Sequence, residues 1–331
     1  MEQNQFYLIK EDSNYNTMID FMFKESEVID FTEPKQSAIV KLLVKNKLQK
    51  VLGWLVNPFL KNRFQICYYF KKINSGKKKC YLIFLNSSFI NSKIPASVMK
   101  AYKKKWPNMI FVLLYIDIVA HPVSDHANKL RENGVFDIIY TVDEKDAKKY
   151  SLNFIRTPYS RVDKYKNIAI ENDIYFCGVT KDRGSTLISL IDNARNNDVN
   201  IQMDVMCKEE ERTSFLERKC VNLLDDYVTY DTLLYNSLNA KCILDLVQKG
   251  QSALTLRPYE AVVYNRKLLT NNRSILEFEF YDPRYMQYFE NIDDIDWEWV
   301  KEDIDVDYGY NGEFSPIHLL EDICKRKNGE I

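Results

Sequence analysis

Short apolar runs recur along the chain, and most are separated by stretches whose apolar positions fall three and four apart. In the first half, 80–84, 110–116, 136–140 and 152–155 read as strands, and about 95–105, 124–132 and 144–149 as helices. Strands that are apolar throughout, rather than alternating, are buried on both faces, which predicts a parallel sheet with helices on each side. The opening residues read as irregular, 39–64 as a basic amphipathic helical stretch and 64–70 as a ribbon.

A second set begins with a strand at 173–177, a loop at 178–184, a helix at 185–196 and a strand at 201–206. A helix near 231–238, a strand at 242–247, a polar loop running into another helix, and a strand at 267–270 complete it. Residues 160–170 are polar and aperiodic, as a crossing between domains would be. The expectation is an α/β protein with two Rossmann-like, doubly wound domains, 1–165 and 166–331, facing a cleft. A last helix, signalled by Ser315 as N-cap and Pro316 at its first position, would cross back to the first domain.

With 331 residues, 46% of them apolar, the chain is long enough for two separate cores. Its seven cysteines are odd in number and contain no Cys-x-x-Cys pair, which suits reduced thiols. No secretory pattern opens the sequence, and no apolar run is long enough to span a bilayer. A cytoplasmic protein, peripheral at the inner face of the membrane, is therefore expected.

A net charge of −1 hides a strong asymmetry. Residues 1–170 hold 28 Lys and Arg against 16 Asp and Glu, whereas the remainder holds 18 against 31. No acid occurs between Pro34 and Ile116. Such a surface suits an anionic membrane, nucleic acid, or the acidic half of the same or another chain in a homo- or hetero-oligomer. No nucleic-acid motif is present, and nucleic acid is not expected as a partner. Lys41, Lys45, Lys47 and Lys50 interleave with Leu42, Leu43, Leu48 and Trp54, a pattern that fits a helix lying in a lipid interface and equally one packed on a sheet.

Two loops carry candidate chemistry. Gly178-Val-Thr-Lys-Asp-Arg-Gly-Ser185 joins a strand to a helix but is neither a Walker A loop nor Gly-x-Gly-x-x-Gly. It keeps Lys181 and Arg183, cations suited to a diphosphate or to closure across a cleft, on a turn opened by Gly178. The second loop, from Gly250 to Arg257, offers a tight turn, hydroxyls and main-chain N–H groups at a helix start. Glu260, one turn in, suits a hydroxyl-rich ligand or simply the positive end of its helix. A histidine is the side chain best poised as a base near neutral pH, and His121, with Asp117 nearby, lies just beyond a strand end. No metal site is expected: the acidic segment after residue 280 does not fit an EF-hand, since Tyr308 and Phe314 stand where Gly and Glu belong.

The run Gly250-Gln-Ser-Ala-Leu-Thr-Leu-Arg-Pro-Tyr-Glu-Ala, followed by Lys267-Leu-Leu-Thr-Asn, resembles the donor-site segment of GT-B-type glycosyltransferases of bacterial capsule, exopolysaccharide and lipopolysaccharide biosynthesis. Tyr175-Phe-Cys-Gly-Val-Thr-Lys-Asp-Arg-Gly and the segments from Tyr140 and Pro158 extend the likeness over about residues 80–285. The resemblance implies a metal-independent transferase without a cofactor, moving a sugar from a nucleotide-sugar to a lipid-linked or oligosaccharide acceptor. It implies that Ser252, Ala253, Leu254 and Thr255 line the diphosphate and that Glu260 meets the ribose. Ala253 stands where that family commonly has a second glycine, which leaves a catalytically lapsed partner or scaffold in a polysaccharide assembly complex as the alternative.

Overall fold

The structure, a computed structural model, describes residues 4–10, 16–26, 28–32, 79–88, 94–165, 168–251 and 253–330, with main chain only at 28–32. The basic residues Lys41, Lys45, Lys47 and Lys50, with Trp54, the ribbon at 64–70, and Ser252 lie outside them. The chain forms two compact units: Met1–Pro158 with Pro316–Ile331, and Tyr159–Ser315. The division thus falls at 158/159, where 165/166 was expected, and the last helix belongs to the first unit.

The first unit contains β1 (Asn4–Lys10), α1 (Asn16–Met22), β2 (Val28–Thr32), β3 (Lys79–Leu85), α2 (Ala96–Lys105), β4 (Met109–Tyr115), α3 (Asp125–Glu132), β5 (Ile138–Thr141), α4 (Glu144–Tyr150) and β6 (Asn153–Phe154). All six strands are parallel, in the order β2-β1-β3-β4-β5-β6. β1 corrects the expectation of an irregular opening. Its apolar run, Phe6 to Ile9, is short, and it becomes a strand because β2 and β3 pair with it on either side.

The second unit contains β7 (Asn172–Val179), α5 (Gly184–Asn196), β8 (Ile201–Met206), α6 (Glu209–Leu216), β9 (Val221–Leu223), α7 (Tyr230–Leu238), β10 (Ala240–Asp245), α8 (Arg257–Tyr264), β11 (Lys267–Thr270), β12 (Met286–Tyr288) and α9 (Trp297–Lys301). Its strands are also parallel, in the order β12-β11-β10-β7-β8-β9, the dinucleotide-binding topology. One face of this sheet packs Ile174, Phe176, Met203, Val205, Leu244 and Leu269 into an apolar core with Leu187, Leu190 and Ile191 of α5. The other face is more polar: Asp204 accepts from Tyr175 (2.6 Å) and Asn222 (3.1 Å), and Asn236 of α7 donates to Tyr175 (3.3 Å) and Asp204 (3.2 Å).

The segment after residue 280 is tied to the sheet through its main chain. The buried Lys267 ammonium donates to the carbonyls of Trp299 (2.6 Å), Val300 (2.9 Å) and Glu302 (2.6 Å), and Lys241 donates to that of Lys301 (2.7 Å). These cations satisfy the carbonyls that the end of α9 leaves open.

The final helix, α10 (Pro316–Asn328), buries Leu319, Leu320 and Ile323. It is tied to the first sheet by Tyr140, whose hydroxyl donates to Asp322 at 2.6 Å, and by Asn4, whose amide donates to the Cys324 sulfur at 3.3 Å. Among the described residues, no helix is long and apolar enough to cross a membrane.

Candidate functional site

In the second sheet, the strand order reverses between β7 and β10, and ligands of open parallel sheets bind beyond the carboxyl ends of the strands at such a point. The two loops singled out from the sequence leave these two strands. Two residues join them. The Lys249 N–H donates to Asp182 at 3.1 Å, and the Arg183 guanidinium donates to the carbonyls of both Val179 and Leu246. Arg183 therefore spans the reversal point itself.

Its bonding partners there are neutral carbonyls, with Thr180 O third at 3.4 Å, and no carboxylate pairs with it among the described residues. Burial pushes the Arg183 pKa down, opposed by the nearby charges of Asp182 and Asp245. Lys181 is exposed and holds a left-handed φ of 49°, a conformation that costs a side-chain-bearing residue about 1–2 kcal/mol. A Cβ at Gly178 would make a tight contact, 3.1 Å from the Phe176 ring.

The two helix tips differ. At the start of α5, the Glu211 carboxylate from α6 lies so close to Gly184 that a Cβ there would be 2.2 Å from its oxygen. Thr180 donates to the same carboxylate at 2.6 Å. The protein's own anion thus lies beside Gly184, bonded to Thr180 and to the Lys208 N–H at 3.3 Å.

At the start of α8, by contrast, the N–H groups of Ala253, Leu254, Thr255 and Leu256 meet no acceptor among the described residues. Gly250 turns the loop with a φ of 83°. Behind the loop, buried Asp245 accepts from Thr255 and Thr270, each at 2.9 Å. Asn272 holds the Ala253 carbonyl at 3.0 Å, and Asn271 receives the Val247 N–H at 2.7 Å. Burial raises the Asp245 pKa, partly offset by the two threonine bonds.

Several assignments change. The Thr255 hydroxyl, expected to face a ligand, is turned inward to Asp245, leaving its N–H available. Glu260 is fully buried: Oε1 accepts from Tyr230 at 2.7 Å, and Oε2 from Arg257 at 2.6 Å. No surface of its carboxylate remains for a ribose. Arg257 uses one nitrogen on Glu260 and, weakly, Ser237 at 3.5 Å; its remaining N–H groups have no acceptor among the described residues.

In the first unit, Asp117 and His121 follow β4 and are both exposed. His121 caps the turn Pro122–Ser124, its Nδ1 accepting the Val123 N–H at 3.2 Å. In the neutral ring, that bond puts the proton on Nε2, so the outward nitrogen is a donor rather than a base. No bond joins it to Asp117 among the described residues.

Elsewhere in the second unit, a cavity of about 350 Å³ opens beside Asn265, Arg266 and Lys267, at the amino ends of the strands. Lys241, Arg266 and Lys267 are engaged there by carboxylates and carbonyls of the protein itself.

No protein-family model matches the chain, and no curated protein matches its sequence. Among solved structures, it is similar to a point mutant of S. aureus TarM in complex with fondaparinux, alpha-GlcNAc-glycerol and UDP. The TM-score is 0.55 at 15% identity, over 80% of this chain and 58% of that one. The protein thus spans less than two thirds of that structure's length. AviGT4, a glycosyltransferase involved in avilamycin A biosynthesis, gives 0.48 at 9% identity over 90% and 87% of the two chains. UDP-N-acetylglucosamine 2-epimerase from Rickettsia bellii gives 0.44 at 9% over 80% and 78%. The likeness to TarM is one of fold. The chain has the two Rossmann-like α/β units of the GT-B class.

Proposed function

We propose that the protein is a glycosyltransferase that moves a sugar from a nucleotide-sugar to a glycan acceptor in cell-surface polysaccharide assembly. The observation that carries this reading is a row of four N–H groups, Ala253 to Leu256, that meet no acceptor among the described residues, in the loop after the Leu246 carbonyl to which Arg183 donates. Transfer leaves a nucleoside diphosphate whose charge grows as the sugar departs. Fixed N–H groups and cations aimed at that charge stabilise the transition state more than the ground state. Arg183, Arg257 and exposed Lys181 and Lys249 supply this without a metal in the proposed scheme.

On this reading, Asp117 is the better placed acceptor for a hydroxyl proton, with His121 as its neighbouring donor. The lysines at 41–50 and Trp54 bring the protein to an anionic membrane carrying a lipid-linked acceptor, on its cytoplasmic side. Charge reversal at Lys41, Lys45, Lys47 and Lys50 should weaken sedimentation with anionic liposomes.

Thermal unfolding with UDP-, GDP-, CDP- and TDP-sugars tests the donor assignment. A ligand at a hundredfold excess over its Kd stabilises by about 2.7 kcal/mol, which shifts Tm by several degrees. No shift with any of the four classes would remove the proposal.

A further inference from the structure

We infer that Glu260 is a positioning residue for an anion at the α8 tip, acting through Arg257 and never touching the ligand itself. This rests on the diphosphate site proposed above. The carboxylate is 0% exposed and both its oxygens are engaged, whereas the Arg257 side chain is 14% exposed. Glu260 holds one edge of the guanidinium at 2.6 Å; the N–H groups without acceptors belong to the residue that directly follows the open row of main-chain N–H groups. The carboxylate is itself held from behind. Tyr230 donates to it at 2.7 Å, and the Tyr159 hydroxyl lies 3.0 Å from that of Tyr230. All three members of this chain, Tyr159, Tyr230 and Glu260, are buried. A planar fork aimed by a fixed carboxylate loses little freedom when it takes up phosphate oxygens.

The sign of one substitution separates this role from a purely electrostatic one. A carboxylate near an anion site repels the anion, so if charge alone mattered, Glu260→Gln would tighten binding. If Glu260 aims Arg257, the same change weakens it.

The experiment is calorimetric titration of inorganic pyrophosphate into the full chain at low ionic strength, comparing the parent, Glu260→Gln, Arg257→Met and the double variant. The expected result is a loss of about tenfold for Glu260→Gln, the scale of one charge-assisted hydrogen bond. In the Arg257→Met background, Glu260→Gln should add nothing. Tyr230→Phe, which keeps the ring and removes the hydroxyl, should shift affinity the same way by a smaller factor, and it serves where Glu260→Gln fails to fold. Equal or tighter binding by Glu260→Gln, or by Tyr230→Phe where that variant stands in, overturns the positioning role alone, as does a Glu260→Gln effect that persists without Arg257. A parent that binds neither pyrophosphate nor a nucleoside diphosphate overturns the site and this role together.

Discussion

The second unit offers two strand-to-helix turns side by side, β7 into α5 and β10 into α8, and they have opposite fates. Both start helices, both follow the strands that flank the reversal point, and both carry an arginine at the helix start. The α5 tip has the Glu211 carboxylate beside it, against Gly184, while the α8 tip has its acids placed behind it, Asp245 under the loop and Glu260 on the inner side of Arg257. What distinguishes the two is therefore the position of the nearest carboxylate. A carboxylate beside a helix tip repels an anionic ligand from it. One beneath the loop stiffens it and leaves its outer side free to bind.

The strongest way to break the comparison is at the foundation of the open tip. Arg257→Met leaves Glu260 buried without its partner, and removing one member of such a pair costs about 3–5 kcal/mol. Urea denaturation should report this, and a change under about 1 kcal/mol would mean the tip does not depend on the pair.

The α5 tip is tested next by Gly184→Ala. The new methyl displaces the Glu211 carboxylate from Thr180 and should cost about 1 kcal/mol, the scale of one hydrogen bond, an effect relieved by adding Glu211→Ala. If the double variant remains as unstable as the single one, the Glu211 carboxylate does not lie against Gly184.

A smaller, pH-dependent effect belongs to Asp245. Its folded-state pKa is raised above the ordinary 3.8, so its contribution is fully present below that value and is lost as pH rises through the folded-state value. Asp245→Asn should remove this slope, so that unfolding curves of variant and parent diverge as pH rises from about 4 in favour of Asn. Parallel curves would contradict the assigned burial. The smallest effect is expected at the exposed cations: Lys181→Gln or Lys249→Gln should weaken nucleoside diphosphate binding about two- to fivefold at low salt, and less at high salt.

Much of this architecture was legible in the apolar pattern. The strands at 201–206 and 267–270 match β8 and β11, and most others fall within two residues of the expected ends. The missed strands were β1 and β2, in the opening read as irregular, and two short ones. β9 and β12 have three residues each, and their pairing with β8 and β11 comes from the sheet rather than from any local period.

The two loops were legible as phosphate-binding candidates because Gly, Ser, Thr and Arg near a helix start have a local signature. Which of them is open was not, because Glu211 reaches Gly184 from 27 positions along the chain, a distance that no spacing rule spans. Glu260 was assigned outward for the same reason. Tyr230 and Tyr159, which claim one side of it, lie far upstream and carry no motif. Asp245 and Thr270 were passed over as strand residues, although Thr270 and Asn271, at the end of β11, already stood within the quoted motif.

Amide-resolved hydrogen exchange with and without a saturating nucleoside diphosphate tests the difference between the tips most directly. The N–H groups of Ala253, Leu254, Thr255 and Leu256 should slow on addition of the ligand, while those of Gly184, Ser185 and Thr186 remain unchanged. Protection at the α5 tip with none at 253–256 would contradict the account.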